Sequence, residues 1–255
     1  MEIKYNIQGL LIYLTMAMYF LAIVIGLLKH KKAMSGLYFT GFIIAVISLI
    51  YRGVNVQHFP LQSMFEVFIF LGALTFPISY FSMQFLKIPI YISDMFVGVI
   101  ILFPAGFIFS DRLLELPPAL QSFLFVPHVL VYMLSYVILT KAAILATKQL
   151  SIDTDYESNA YKLVCFGFPF LTAGLILGSI WAKLAWGDYW GWDPKELWSL
   201  ATWLVYGGYF HYRAMYPNNK KNNSIWIISG FVFIIITILW VNLSRLFTGM
   251  HNYAS

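Results

Sequence analysis

The sequence has a single cysteine, Cys165, among its 255 residues. One cysteine can form no intramolecular disulfide, and it leaves the chain without a CxxC dithiol or a CxxCH motif for attaching haem. The protein is therefore neither a dithiol oxidoreductase nor itself a c-type cytochrome. Unpaired cysteine is among the most buried residue types, so we expect Cys165 to lie in the core as a small apolar residue.

Charge is scarce as well. Only 11% of the residues are charged and 60% are hydrophobic, which gives a mean hydropathy of +0.76. These values are far from those of a soluble domain and predict an all-α, polytopic membrane helix bundle. Apolar runs typical of membrane helices recur about eight times, and the second and fourth are short enough that six or seven helices would also fit. The runs are roughly 7–28, 34–50, 63–86, 94–109, 124–146, 163–184, 197–216 and 225–247.

Several other signals are missing. No basic segment precedes the first apolar run and no small-residue cleavage site follows it, so we expect the first helix to be retained. No internal repeat or flexible linker divides the chain, which predicts a single membrane domain over residues 1–255. The absence of a phosphate-binding loop, a nucleophile elbow, a zinc-binding helix motif and a chain of intramembrane acids disfavours hydrolases and pumps.

The distribution of lysine and arginine predicts the orientation in the membrane. If eight helices are laid end to end, one side carries ten of the sixteen basic residues, and cytoplasmic loops are usually the more basic ones. The tryptophan-rich segment and both termini then face outward. This bias accounts for the net charge of +5 and gives no reason to invoke nucleic acid. The ten are Lys29, Lys31, Lys32, Lys87, Lys141, Lys148, Lys162, Arg213, Lys220 and Lys221.

The segment 181–198 contains five of the eight tryptophans, including Trp186, Trp190 and Trp192. Spaced by glycines at a membrane surface, these indoles offer flat apolar faces and N–H donors, which suit a large planar ligand. The alternative is an aromatic belt at the interface, although belts distribute aromatic residues over all helix ends.

Histidines provide the candidate metal ligands. His128 and His251 are predicted at outer helix ends, where neutral imidazoles can ligate a haem iron from opposite faces. His211 lies inside the seventh helix near its inner end, either as a second haem ligand or as an interfacial residue beside Arg213. His58 is expected only to shape an outer loop.

Two acidic residues have structural explanations at helix starts. The sequence Asp193-Pro-Lys-Glu196 predicts an N-cap, a proline at the first helical position and a capping glutamate, and Ser63-Met-Phe-Glu66 predicts a second capping box.

Arg52 and Arg245 lie near outer helix ends, where they either pair with haem propionates or extend toward the interface. Gly167, Gly174 and Gly178 predict close helix packing.

The segment Trp186-Gly-Asp-Tyr-Trp-Gly-Trp-Asp-Pro-Lys-Glu196 closely resembles the signature of the WWD family of haem-handling cytochrome c biogenesis proteins, in the form of its CcsA branch. Four further segments, in the expected order between about residues 52 and 253, also resemble that family. They are Gln57-His-Phe-Pro-Leu-Gln-Ser-Met-Phe-Glu66, Pro127-His-Val129, Tyr209-Phe-His-Tyr-Arg213 and Gly249-Met-His-Asn-Tyr253.

This resemblance implies a cytochrome c biogenesis protein that binds haem b and presents it at the outer membrane face. It implies that His128 and His251 ligate the iron beside Trp186, Trp190, Trp192 and Asp193, and that His211 receives haem within the membrane. With a CcsB-type partner, the chain would be the haem-presenting subunit of a holocytochrome c synthase acting on CxxCH of apocytochrome c. The expected location is the cell membrane, or the thylakoid membrane of a plastid.

Two other functions stay open, and the first of them would use the same histidines and tryptophans. A haem exporter or chaperone would deliver haem without attaching it. A b-type electron-transfer protein would instead hold its haem permanently, typically between histidines within the bundle.

Overall fold

A computed structural model describes residues 3–152 and 154–240 of the chain. Within these residues the regular structure is helical, and eight α-helices follow one another in the order the apolar runs predict. They are α1 (Ile7–Leu27), α2 (Lys31–Val56), α3 (Met64–Phe85), α4 (Ile92–Phe107), α5 (Phe125–Ser151), α6 (Glu157–Trp186), α7 (Pro194–Met215) and α8 (Lys220–Ile235). A 3-10 turn at Pro118–Leu120 precedes α5, and a π-helical turn at Ile236–Trp240 extends α8.

Six of the described helices are long and apolar enough to cross a membrane, namely α1, α2, α3, α5, α6 and α8 with its π-helical turn. The exceptions are α4, which is apolar but has only 16 residues, and α7, which carries Lys195, Glu196, His211 and Arg213. The second run was predicted too short: α2 has 26 residues. It continues past the apolar run through Arg52, whose charged side chain is buried and binds protein groups. The multi-pass helical membrane fold is confirmed.

The chain forms two compact units, Met1–Pro117 and Pro118–Ser255. In unit one, α1 packs on α2 and α4, and α3 packs on the same two helices. The centre is aromatic: the Tyr19 ring meets Tyr38 edge-on at 4.9 Å, and Tyr38 meets Phe76 at 5.1 Å. A Cβ on Gly41 or Gly98 would fall within 2.7 Å of the Tyr19 ring, so glycine is required where this large side chain crosses neighbouring helices.

A buried ion pair joins α2 to α3. The Nε of Arg52 donates to Oε1 of Glu66 at 2.9 Å, and both side chains are buried. The other guanidinium nitrogens donate to the carbonyl oxygens of Asp111 and Arg112, each at 2.7 Å. Glu66 also completes the capping box with Ser63, which the sequence predicted. Arg52 therefore ties the α2–α3 corner to the segment after α4, a structural role that the sequence did not predict.

In unit two, α5 packs on α6 and α8, and α7 packs on α6 and α8. The α5–α6 contact is close because Gly167 faces Ile138 and Leu139, where an added Cβ would lie 3.0–3.1 Å from their side chains. The prediction that Cys165 is buried was wrong, since its side chain is exposed. Leu163, Val164 and Gly167 form the buried face of α6, and Cys165 lies on another side of the helix.

Lys141 also departs from expectation. The charge distribution groups it with the basic inner loops and their flanking helix ends, but α5 continues ten residues beyond it to Ser151, and the side chain is buried. It therefore supports the predicted orientation less directly than the exposed loop lysines do.

Candidate functional site

The candidate residues in unit two lie at two ends of its helices. His128 is in the first turn of α5, Trp181 and Trp186 are in the last turns of α6, and Asp193 caps the start of α7. We call this the tryptophan end. His211 lies 18 residues along α7 from Asp193, about 27 Å at the rise of an α-helix. The sequence predicted two separate sites, and the helices place the residues of these sites at opposite ends.

The imidazole of His128 is held in one orientation. Its Nδ1 lies 3.0 Å from the carbonyl oxygen of Gly174. Its ring stacks on Trp181 at 5.7 Å between centroids, with an interplanar angle of 22°, and meets Tyr132 edge-on at 5.2 Å. Because a carbonyl oxygen only accepts hydrogen bonds, Nδ1 carries the proton in the neutral ring. Nε2 then has the lone pair, which is the form in which histidine ligates a metal.

Two glycines of α6 create the space for this histidine. A Cβ added to Gly178 would lie 2.5 Å from Cε1 of His128, and a Cβ on Gly174 would lie 2.8 Å from the ring of Tyr132. The sequence indicated only helix packing at these positions. Gly178 sits directly against the candidate ligand, so its missing side chain determines where that ligand can be.

Trp181 connects the histidine to the tryptophan segment. Its indole Nε1 donates to the carbonyl oxygen of Ala119, in the turn before α5, at 3.0 Å. Trp186 meets the Trp181 ring at 4.8 Å. His128, Trp181 and Trp186 thus form a continuous aromatic cluster at the tryptophan end, in which Trp181 is buried and the other two rings are partly exposed. Trp181 was not among the predicted site residues, although it lies within the predicted segment.

The non-helical part of the tryptophan segment is shorter than 181–198. It runs over residues 187–193, because α6 continues to Trp186 and α7 begins at Pro194. Gly187, with φ of 94°, ends α6 in the left-handed region, and Nζ of Lys183 binds its carbonyl oxygen. Trp190 and Trp192 meet edge-on at 6.0 Å, and the Trp192 side chain is 67% exposed. We call residues 187–193 the tryptophan loop.

The predicted capping box fixes the end of this loop. Asp193 accepts from the amide of Lys195 at 2.9 Å. Oε2 of Glu196 accepts from the amides of Gly191 at 2.9 Å and Asp193 at 3.1 Å. Trp192 lies between these two amides and has a left-handed backbone with φ of 56°. Such a conformation costs a non-glycine residue about 1–3 kcal/mol, so the Glu196 carboxylate stabilises an otherwise unfavourable turn.

His211 is exposed on α7, one turn before the helix ends at Met215. Its neighbour Arg213 does not simply extend outward, as one alternative supposed. The guanidinium binds the Glu157 carboxylate of α6 through Nε at 2.7 Å and a terminal nitrogen at 3.2 Å, and Tyr209 donates to the same carboxylate at 3.2 Å. This buried glutamate therefore clamps α6 to α7 beside His211.

The remaining predicted residues are elsewhere. His251 and Arg245 lie outside the described residues. Arg52 is in unit one, and the contacts given above occupy it with protein groups, so its pairing with a propionate stays a prediction. His58 lies 3.0 Å from the carbonyl oxygen of Phe59 and 3.4 Å from that of Leu114, which fits the loop-shaping role expected for it.

The tryptophan end thus offers one oriented imidazole, a cluster of indole rings and a loop that is held by Glu196 and has exposed aromatic side chains. Imidazole nitrogen ligates transition metals, and indole faces bind flat apolar rings. Within residues 3–152 and 154–240, two polar atoms of this end are buried without a hydrogen-bond partner, Nε1 of Trp190 and Oε1 of Glu196. This combination suits a planar metal complex with polar substituents.

Comparisons with known proteins agree on a family. The family model described as "Cytochrome C assembly protein" matches residues 5–248. The protein named "Cytochrome c biogenesis protein CcsA" in Mesostigma viride is 31% identical over 266 residues, covering 86% of this chain and 84% of that relative. The protein of the same name in Microcystis aeruginosa is 43% identical over 115 residues, which span 45% of this chain and 34% of its own length.

A solved structure shares the fold. The chain named "Cytochrome c Heme Lyase CcmF" matches with a TM-score of 0.72 over 93% of this chain, at 18% sequence identity. The match spans about half, 48%, of that longer protein.

Proposed function

The chain belongs to the cytochrome c assembly family, as a CcsA-type multi-pass membrane protein of cytochrome c biogenesis, and we propose that it holds haem b at the tryptophan end for attachment to apocytochrome c. In this proposal His128 binds the haem iron. Trp186, Trp190 and Trp192 contact the porphyrin, and Asp193 supports them by capping α7. Haem is the substrate that passes through the site.

The orientation of His128 carries the proposal. The bond from Nδ1 to Gly174 holds the imidazole in the tautomer whose Nε2 can ligate iron. Stacking on Trp181 and the edge contact with Tyr132 limit rotation of the ring. A histidine with only a packing role would need neither a defined tautomer nor a defined orientation of its ring plane.

Attachment of haem to the peptide depends more on the position of the reacting groups than on reactive side chains of this protein. Thioether formation adds two cysteine thiols of a CxxCH segment to the two vinyl groups of haem. Holding the reacting groups together in the correct orientation supplies about 7–11 kcal/mol in favourable cases. Ligation by His128 fixes the iron, and contact with the indoles fixes the plane, so the vinyl edge can be offered to the peptide.

The other predicted residues complete the proposal. His251 is the second axial ligand, and His211, at the opposite end of α7, receives haem from the inner side. Arg245 pairs with a propionate. The tryptophan end and both termini face the periplasm or the thylakoid lumen, and a CcsB-type membrane protein acts as the partner. The chain is then the haem-presenting subunit of a holocytochrome c synthase.

Reconstitution in a bacterial host lacking its own maturation system tests this function. The chain is expressed with an apocytochrome carrying CxxCH, with and without a CcsB-type partner, and covalently bound haem is measured on the cytochrome. We expect holocytochrome with the partner. Haem that reaches the outer side without becoming covalently attached would instead indicate an exporter or chaperone. Haem that stays on the protein when apocytochrome is offered would indicate a b-type electron carrier.

A further inference from the structure

Two glutamates occupy the same position in two capping boxes, and one of them has an unused oxygen. In Glu66, Oε2 accepts from the amides of Gln62 and Ser63 at 2.8 and 3.2 Å, and Oε1 is paired with Arg52. In Glu196, Oε2 accepts from two loop amides in the same manner, but Oε1 is buried and has no hydrogen-bond partner among the described residues. Capping α7 therefore accounts for the bonds of Oε2 of Glu196 and gives no role to Oε1.

A second unsatisfied atom lies in the same segment. Nε1 of Trp190 is also buried without an acceptor, and Trp190 directly precedes Gly191, whose amide binds Glu196. Buried polar atoms without partners are uncommon in native proteins, and each one calls for a specific explanation. One acceptor and one donor of this segment are thus both without a partner in the part of the chain that the structure describes.

These atoms belong to residues beside an exposed part of the loop. The bonded oxygen of Glu196 is 2.9 Å from the amide of Gly191, which is exposed, as is the adjacent Trp192. The open oxygen belongs to the same carboxylate and is buried. A group bound on the loop therefore lies next to residues that this carboxylate holds.

Building on the function proposed above, we propose that Glu196 is a catalytic residue that accepts the proton of a substrate cysteine thiol, while the Trp190 indole N–H donates to the sulfur. A thiol is both a donor and an acceptor, which matches this pair. The other groups of the reaction fit less well. A haem propionate would be repelled by a carboxylate, and a vinyl group has no hydrogen-bond donor.

The step balances without an oxidant or a reductant. The S–H bond breaks and its proton passes to Oε1 of Glu196. A C–S bond forms between sulfur and the vinyl carbon next to the porphyrin ring, and the π electrons of the vinyl group take the proton back from Glu196 at the terminal carbon. The carboxylate is regenerated for the next thiol.

The Glu196→Gln variant separates this role from capping. The carbonyl oxygen of glutamine can still accept from Gly191 and Asp193, so the loop keeps its support, but the open position becomes an amide that cannot take a proton. We expect normal haem loading and a normal KM for apocytochrome, with a kcat about 100-fold lower, within the usual range for a general base. Glu115→Gln, at an exposed glutamate in unit one, is the matched control.

The rate of haem attachment and the haem content of these proteins decide whether Glu196 accepts the thiol proton. Attachment at the wild-type rate would overturn it and leave Glu196 as a cap. Loss of haem from Glu196→Gln alone would assign the oxygen to haem binding and also overturn it. Absence of haem from the wild type would instead contradict the proposed function itself.

Two measurements remain decisive if Glu196→Gln folds poorly. Trp190→Phe keeps an aromatic ring and removes the N–H, and we expect it to load haem but to attach it about tenfold more slowly. A CxxCH peptide should bind the haem-free wild type about tenfold more tightly than the matching AxxAH peptide. Equal binding of the two peptides, or full activity of Trp190→Phe, would exclude the thiol site.

Discussion

Replacing Gly178 with alanine is expected to lower holocytochrome formation by about 100-fold while the membrane helices still assemble. The new methyl group would lie 2.5 Å from Cε1 of His128, well inside contact distance. The imidazole would have to leave its place, losing its bond to Gly174 and its stacking on Trp181. A displacement of about 1 Å from a productive geometry can cost about 10²-fold in rate. Covalent haem on the cytochrome and the haem spectrum of the purified protein measure the effect.

A second glycine provides the control. A Cβ on Gly207, in α7, would meet no atom within 4 Å, so Gly207→Ala should retain full haem loading and attachment. If Gly178→Ala retained both as well, His128 would not depend on this space, and its proposed position at the haem would be wrong.

The second large effect concerns stability. Replacing Arg52 with methionine leaves the Glu66 carboxylate buried without its cation, and the carbonyl oxygens of Asp111 and Arg112 lose their donors. Removing one partner of a buried ion pair commonly costs about 3–5 kcal/mol. For a chain of this size we expect the midpoint of thermal unfolding in detergent to fall by roughly 10 °C.

A double variant and a control at a second arginine test whether the unpaired Glu66 carboxylate causes the loss of stability. Adding Glu66→Gln to Arg52→Met should restore much of the loss, because the amide removes the unpaired charge and still caps α3. Arg112→Met, at an exposed side chain, should change the midpoint little. If Arg52→Met instead lost haem without losing stability, Arg52 would act as a propionate partner rather than as a structural residue.

The hydropathy of the sequence predicted the helices better than it predicted their ends. Apolar runs located all eight described helices because a membrane requires long apolar segments. The ends were wrong where a helix continues through polar residues that bind neighbouring protein groups, as α2 does through Arg52. Lys141 shows the same effect, since α5 extends past the fifth apolar run to Ser151 and leaves this lysine farther from the helix end than the run indicated.

The sequence also identified much of the tryptophan end but not how it is held together. His128 was found because histidine is rare here and lies at a helix end. The capping boxes were found because they depend only on local spacing. The contacts of Gly178 and Gly174 with α5 join residues 42 or more positions apart, which no local pattern specifies. The paired carboxylate of Glu66 and the open one of Glu196 look alike in sequence and differ only in their three-dimensional surroundings.

The most direct test of the proposed haem site is an absorption spectrum of the detergent-purified protein, expressed with a CcsB-type partner, beside two variants. One is His128→Ala, and the control is His30→Ala, at an exposed histidine between α1 and α2. We expect a bis-histidine haem spectrum in the wild type and in His30→Ala. In His128→Ala this spectrum should be weakened or altered, and added imidazole should recover it by replacing the missing ligand. An unchanged spectrum in His128→Ala would contradict ligation by His128, and a haem-free wild type with haem in abundant supply would contradict haem binding by this chain.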